Sequence, residues 1–332
     1  MPPTQPSLFR NSFWRDLKEQ THKGSLNELL ALLPQFACVP FIMDRYENPY
    51  TDLIVRLPLH GNEPTVPIAM VSKSYGLVQH QEAIQAVGEA LSDRGIDPSG
   101  LSGRLTLSEL GERMHLRLVL PQVWDMPGGD HLHVQVHCIN SVDRSMALQV
   151  RLGWYRLVCT NGLLFTESAS LRRVHVTGNW RGDLADMLDT QMQRIVEERS
   201  VLQNWLSTKV HMNTFLEWVD EVVTLRWGVQ TAARVCHIAR TGYDGTPERV
   251  QEKTPASKYA VQSDDKPVPG LEPPAHSAFD ASQILSWVAE HARDIQTHMV
   301  WMGNIHSLIA ELIGRAVAQD PSDPGQMAFT DL

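Results

Sequence analysis

Two stretches of the chain alternate apolar residues with histidine and arginine, and that pattern limits the chemistry the protein could do. In ERMHLRLVL, Arg113, His115 and Arg117 alternate with Met114, Leu116, Leu118 and Leu120. In HLHVQVHC, His131, His133, Gln135 and His137 alternate with Leu132, Val134, Val136 and Cys138. A third stretch, SMALQVRL, sets Gln149 and Arg151 against Met146, Leu148, Val150 and Leu152. A period of two sends successive side chains of a strand to opposite faces, so the polar residues share one face. That face is cationic, rich in flat donors and without a carboxylate. It reads either as a solvated surface or as a surface for an anionic partner such as a phosphate backbone.

The same histidines raise the question of a metal, because His-x-His on a strand can present two imidazoles to one ion. At ~3.3 Å per residue, His137 falls about 20 Å from His131 and about 13 Å from His133. No carboxylate shares the strand face with the pair, so no metal, cofactor or catalytic residue is assigned. The four cysteines, at 38, 138, 159 and 236, form no C-x-x-C pair. Cys138 and Cys159 lie in apolar runs and are expected to be buried reduced thiols. Asn161-Gly162 is either a turn or a backbone cradle for an anion beside Arg156. No G-x-x-x-x-G-K-[ST], nucleophile elbow or H-E-x-x-H motif occurs.

Charge is distributed unevenly. The whole chain carries −9, which argues against wholesale coating of nucleic acid. Yet residues 144–181 hold six arginines (144, 151, 156, 172, 173 and 181) against one glutamate, Glu167. Arg156, Arg172 and Arg173 therefore join Arg113, His115, Arg117, His133, Gln135, His137, Gln149 and Arg151 as candidate nucleic-acid contacts. No segment approaches the ~18 consecutive apolar residues of a membrane span. The N-terminus lacks the basic-then-apolar layout of a secretory signal, so a cytoplasmic protein is expected.

The elements that must position these residues follow from periodicity. Residues 1–50 read as a proline-punctuated arm with a short helix around Leu26, Leu29, Leu30 and Leu33. Strands are expected at 52–59 and 67–72. YGLVQH (75–80) follows, leading into an amphipathic helix with Ile84, Val87 and Leu91 on one face and Gly95 at its end. Adjacent antiparallel strands are expected at 113–120, 131–139 and 145–153. After Gly182 the pattern is helical, with Leu184, Leu188, Met192, Ile195, Arg199 and Leu202 on one stripe and Asp183 as cap. Further helices are expected near 213–225, 227–239 and 281–318, the last capped by Asp280 or Ser282. Residues 240–280 read as a long loop. Trp205, Trp218, Trp227, Trp287 and Trp301 fall in helical stretches and suit core packing. The fold class is α+β: a mainly antiparallel sheet with a flanking helix (51–181), then a helical half (182–319) and a tail (320–332).

Within this frame, NSVDRSMALQVRLGWYRLVCTNGLLF (140–165) carries Asn140, Ser141, Asp143, Ser145, Arg156, Val158, Cys159, Asn161 and Gly162. These match an N-S-x-D-x-S turn leading through a strand into R-x-V-C-x-N-G. With YGLVQHQEAIQAVGEAL upstream and RRVHVTGN downstream, the chain resembles the family known as domain of unknown function 932. The resemblance implies a phage, plasmid or other mobile-element setting and imports no catalytic residues. The leading expectation is a non-enzymatic protein that binds nucleic acid, single-stranded DNA among the candidates, through the basic sheet face. The alternative is a protein-binding subunit of a phage defence or counter-defence assembly, using its C-terminal helices. A metal-dependent enzyme stands third.

Overall fold

The computed structural model describes residues 20–58, 63–125, 131–156, 161–165, 180–248 and 253–319. The protein is α+β, with antiparallel sheets and a helical C-terminal half. Its chain divides into two compact units, 1–118 with 137–150 and 171–185, and 119–136 with 151–170 and 186–332.

The main sheet has six strands: β1 (Gln20–Ser25), β5 (Ser102–Leu107), β6 (Arg113–Asp125), β7 (His131–Ser141), β8 (Gln149–Arg156) and β9 (Asn161–Phe165). They lie in the order β1-β5-β6-β7-β8-β9. Five residues separate β6 from β7 and seven separate β7 from β8, too few for the crossover that parallel neighbours need. The alternation expected from sequence holds on the apolar side: Met114, Leu116, Leu118, Leu120, Leu132, Val134, Val136, Cys138, Leu148, Val150 and Leu152 are all buried. Gly103 marks a close approach between β5 and β6. A Cβ there would stand 2.9 Å from the Arg117 carbonyl oxygen and 2.8 Å from the Leu118 side chain.

In the first unit, α1 (Leu26–Leu30) is opened by a capping box between Ser25 and Glu28. A second sheet has three strands in the order β2 (Phe36–Met43), β3 (Tyr46–Arg56), β4 (Val66–Ser72). Sequence reading identified residues 52–56 of β3 and most of β4 but left β1, β2 and the start of β3 inside the arm. Asp44 and Arg45 join β2 to β3, both at positive φ (50° and 72°), with Met43 paired to Tyr46. That is the geometry a two-residue hairpin requires. The helix α2 (His80–Ser92) buries Ile84, Val87 and Leu91 and is followed by Gly95 at φ 73°.

The second unit holds most of α3 (Trp180–Ser207), which buries Leu188, Ile195 and Leu202. Asp183 sits in its first turn rather than at its cap, because the helix begins at Trp180, four residues before the first residue of the periodic stripe, Leu184. Next come α4 (Met212–Trp218), a π turn at Val219–Val223, α5 (Thr224–Trp227) and α6 (Val229–Thr241). The loop expected at 240–280 instead carries a two-stranded sheet, β10 (Tyr243–Pro247) with β11 (Val261–Pro267). Its strands are short and polar, and Asp244 anchors it by accepting bonds from Arg234, from the Trp287 indole at 2.8 Å and from Gly245 N at 2.7 Å. Burial works against the Asp244 carboxylate, but these donors outweigh it and hold the pKa below the ordinary aspartate range. The last helices are α7 (Ala278–Glu290) and α8 (Ile295–Gln319). Ser277 caps α7, and Asp280, expected as cap, closes the capping box from three residues inside. Trp205, Trp218, Trp227 and Trp287 are buried, as core packing requires.

Candidate functional site

The residues that carried the anion-binding expectation form a polar layer within the main sheet, and most of that layer is covered. Arg113, His115, Arg117, Gln135 and His137 are all buried. The open face expected from the alternation is therefore corrected at these five positions. Gln149, Arg151 and His133 are half-buried. Arg151 lies beside Gly303 of α8, its guanidinium 3.5 Å from where a Cβ would stand. His131 is exposed and bonds exposed Asp125 at 2.7 Å. Arg156 is the last residue of β8, while Cys159, Arg172 and Arg173 lie outside the described residues.

Burial of so much polarity is tolerable only where partners are supplied. Arg113 Nε donates to Asp143 Oδ2 at 3.1 Å, the two side chains being 9% and 7% exposed. The other Asp143 oxygen accepts from Ser145 N at 2.9 Å and Ser145 Oγ at 2.5 Å. His115 Nε2 and His137 Nδ1 are 3.0 Å apart, with ring centroids at 5.2 Å. One nitrogen must donate and the other accept, so the two rings cannot both be imidazolium. The carboxylate absent from the strands thus comes from the turn after β7.

That turn is where the family-like motif resides, and its residues hold structure. Asn140 Nδ2 donates to Val78 O at 2.9 Å and to His80 Nδ1 at 3.1 Å. His80 Nε2 donates to Gly111 O at 2.8 Å. Both His80 nitrogens are then occupied in a single neutral tautomer. Ser141 Oγ donates to Met146 O and accepts from Met146 N, closing the turn. Arg144 takes a positive φ of 67° and reaches Met70 O at 3.3 Å. The Tyr-x-x-Val-x-His and Asn-Ser-x-Asp-x-Ser segments, about 60 residues apart, are therefore one hydrogen-bonded unit.

Among the described residues, no three His, Cys, Asp or Glu side chains are grouped so as to hold a metal ion. Cys138 and Cys236 are buried, and burial pushes each thiol up to about 12. Cys38 is exposed, with a thiol raised by partial burial and by Asp52.

Sequence reading passed over another surface. Ile42, Met43, Tyr46, Tyr50 and Met70 belong to the three-stranded sheet and are 50–82% exposed. Lys73 stands in the same sheet region, paired with Glu47 at 2.5 Å and Asp52 at 2.9 Å. The signal was present in FIMDRY: apolar residues immediately flank a polar two-residue turn, where hairpin tips are ordinarily hydrophilic.

Taken together, the fold and its internal polar network define an α+β protein whose main sheet is sealed on its polar side at five positions. Residues 67–293 match the family described as Domain of unknown function (DUF932), and the chain belongs to it. No curated protein and no solved structure matches the chain. The matched segment contains the Tyr75–His80 and Asn140–Ser145 network, whereas the hairpin tip at Ile42–Tyr50 precedes it. Among the described residues, no helix is long and apolar enough to cross a membrane.

Proposed function

We propose that this protein is a binding subunit of a mobile element's protein assembly, and that it meets a protein partner through the β2–β3 hairpin. One observation carries this reading: Ile42, Met43, Tyr46, Tyr50 and Met70 of the three-stranded sheet are each at least half exposed. Large apolar side chains left exposed on a paired strand scaffold mark interaction surfaces, and tyrosine is enriched among the residues that dominate binding energy. The Lys73–Glu47–Asp52 ion triad beside them supplies a polar rim. The C-terminal tryptophans are less suited to the role, because four of the five helical ones are buried.

A nucleic-acid partner is the second reading, favoured by the half-buried Arg151, His133 and Gln149. Fluorescence anisotropy with labelled single- and double-stranded oligonucleotides across a salt series separates the two. A protein-binding subunit shows weak affinity that Arg151→Ala leaves unchanged. A nucleic-acid binder loses about one unit of salt slope for that phosphate contact.

A further inference from the structure

The three-stranded sheet has two outer strands, β2 and β4, and their outward sides differ. On β4, Lys73 N donates across the sheet to Tyr50 O at 3.2 Å, so Lys73 and Val71 face β3 while Met70 and Ser72 face away. Both outward carbonyls are taken by the chain itself. Met70 O accepts from Arg144 Nη1 at 3.3 Å, and Ser72 O accepts from Tyr75 N at 2.9 Å. On β2, Gln35 O accepts from Leu57 N at 2.9 Å, which marks the side facing β3. Phe36 therefore turns its N–H and C=O outward. The unbroken register from Phe36↔Arg56 to Pro40↔Asp52 gives Cys38 and Pro40 the same direction.

The outward groups of Phe36 are paired with an amide. Its N–H donates to Gln79 Oε1 at 3.1 Å, and its C=O accepts from Gln79 Nε2 at 2.7 Å. One side-chain amide thus makes the two bonds that a residue of an adjoining antiparallel strand would make. The next outward residues, Cys38 and Pro40, are exposed. Among the described residues, no hydrogen bond takes the N–H or C=O of Cys38 or the C=O of Pro40. Proline has no N–H, so the open stretch offers one donor and two acceptors over roughly 7 Å of strand.

Building on the proposal that the β2–β3 hairpin meets a protein partner, we infer that the partner docks an extended segment, added antiparallel to the outer side of β2 as a further strand. Its residue opposite Cys38 exchanges two backbone bonds, and its residue opposite Pro40 donates one. The segment continues the pairing that the Gln79 amide begins at Phe36. Cross-strand register also sets the side chains it carries. Ala37 and Val39 share a face with Val55, Leu53 and Met70, all apolar, so the segment is apolar at the alternate positions that lie on this face. Gln79 on one side and Pro40 on the other confine the pairing to a short stretch, which guards the edge against open-ended strand addition.

The test uses the full chain and one extended probe, acetyl-Lys-Thr-Val-Thr-Val-Thr-Lys-amide. Amide hydrogen exchange by NMR reports the site, and anisotropy of a fluorescein-labelled copy reports the affinity. At saturation the Cys38 amide is expected to exchange at least about tenfold more slowly, while Ala37 and Val39, which already face β3, stay unchanged. Cys38→Ser keeps the N–H and is expected to bind like the wild type. Cys38→Pro removes it and is expected to bind at least about tenfold more weakly. The probe N-methylated at every threonine and valine is expected to give neither signal, a check that leaves the fold untouched. The proposal is overturned if the Cys38 amide stays unprotected, if Cys38→Pro binds like the wild type, if Cys38→Ser is as weak as Cys38→Pro, or if the N-methylated probe binds as tightly as its parent. Protection of Cys38 that grows with protein concentration alone assigns the edge to a second copy and overturns it too. The hairpin's role as partner surface is judged separately, by whether Tyr46→Ser with Tyr50→Ser loses a co-purified partner.

Discussion

The two sheets of this protein use their surfaces in opposite ways. In the six-stranded sheet, Arg113, His115, Arg117, Gln135 and His137 are buried behind the strands that carry them. In the three-stranded sheet, Ile42, Met43, Tyr46, Tyr50 and Met70 stand in solvent. Polar residues are retained inside where partners satisfy them, as Asp143 does for Arg113 and as the two histidines do for each other. Apolar residues outside have no such local account, since exposing them forfeits roughly 25 cal/mol per Å² of burial. Composition of a face thus indicates its chemistry without indicating its access. The polar face expected to be open is buried at five positions, whereas the three-stranded sheet carries large apolar residues in solvent.

The largest disruption of this contrast comes from placing a charge on the apolar side of the main sheet. Val136 is 1% exposed, so Val136→Asp is expected to lose more than about 4 kcal/mol and leave little folded protein. Thermal unfolding followed by circular dichroism checks this, and an unchanged midpoint would break the face assignment. Next, Arg113→Met deprives the buried Asp143 carboxylate of its cation, with an expected loss of about 3 kcal/mol. Replacing both partners, Arg113→Met with Asp143→Leu, is expected to recover part of that loss in urea unfolding. If the double variant were no better than the single one, the ion pair would not be the partner that makes burial tolerable.

A smaller effect of opposite sign is expected at Glu198. In the folded chain its carboxyl keeps its proton up to about pH 7, whereas the unfolded value is 4.5. The folded state therefore binds more protons between these limits, and stability falls as pH rises through that window. Glu198→Gln removes the penalty, so it is expected to stabilise by about 1–2 kcal/mol at pH 8 and by almost nothing at pH 4. Melting temperatures at the two pH values measure the difference. The smallest effect belongs to the hairpin: Tyr46→Ser with Tyr50→Ser is expected to change stability by less than about 0.5 kcal/mol, because both rings are at least 80% exposed.

What the sequence disclosed follows from the range of the interactions involved. The period-two pattern of β6, β7 and β8 identified the strands and their buried apolar residues, because alternation is local and one face packs against the core. It could not show that Asp143, 30 residues along the chain, would neutralise Arg113, nor that His115 would bond His137. Those are tertiary pairings with no local trace. The Asn140–His80 bond spans 60 residues, and only the resemblance to a family motif drew attention to both ends. The β10–β11 pair was read as loop because YDGTP and VQSDDKP are short and polar, without an apolar alternation to mark them. Trp154 of β8, Glu198 of α3 and His306 of α8 line one cleft, and Glu198 alone on a helix looks like any solvated acid.

The claim that the hairpin, rather than the basic strands, meets the partner is tested most directly by variant-resolved co-purification from the native host. Wild type, Tyr46→Ser with Tyr50→Ser, and Arg151→Ala would each be isolated with and without nuclease, and the associated proteins quantified by mass spectrometry. The account predicts a partner that survives nuclease and the Arg151→Ala change but is lost, by more than about tenfold, from the tyrosine double variant, as removal of two anchor residues at about 1.4 kcal/mol or more in total would produce. Retention by the tyrosine variant, together with loss on nuclease treatment or on Arg151→Ala, would contradict it and return the function to nucleic acid.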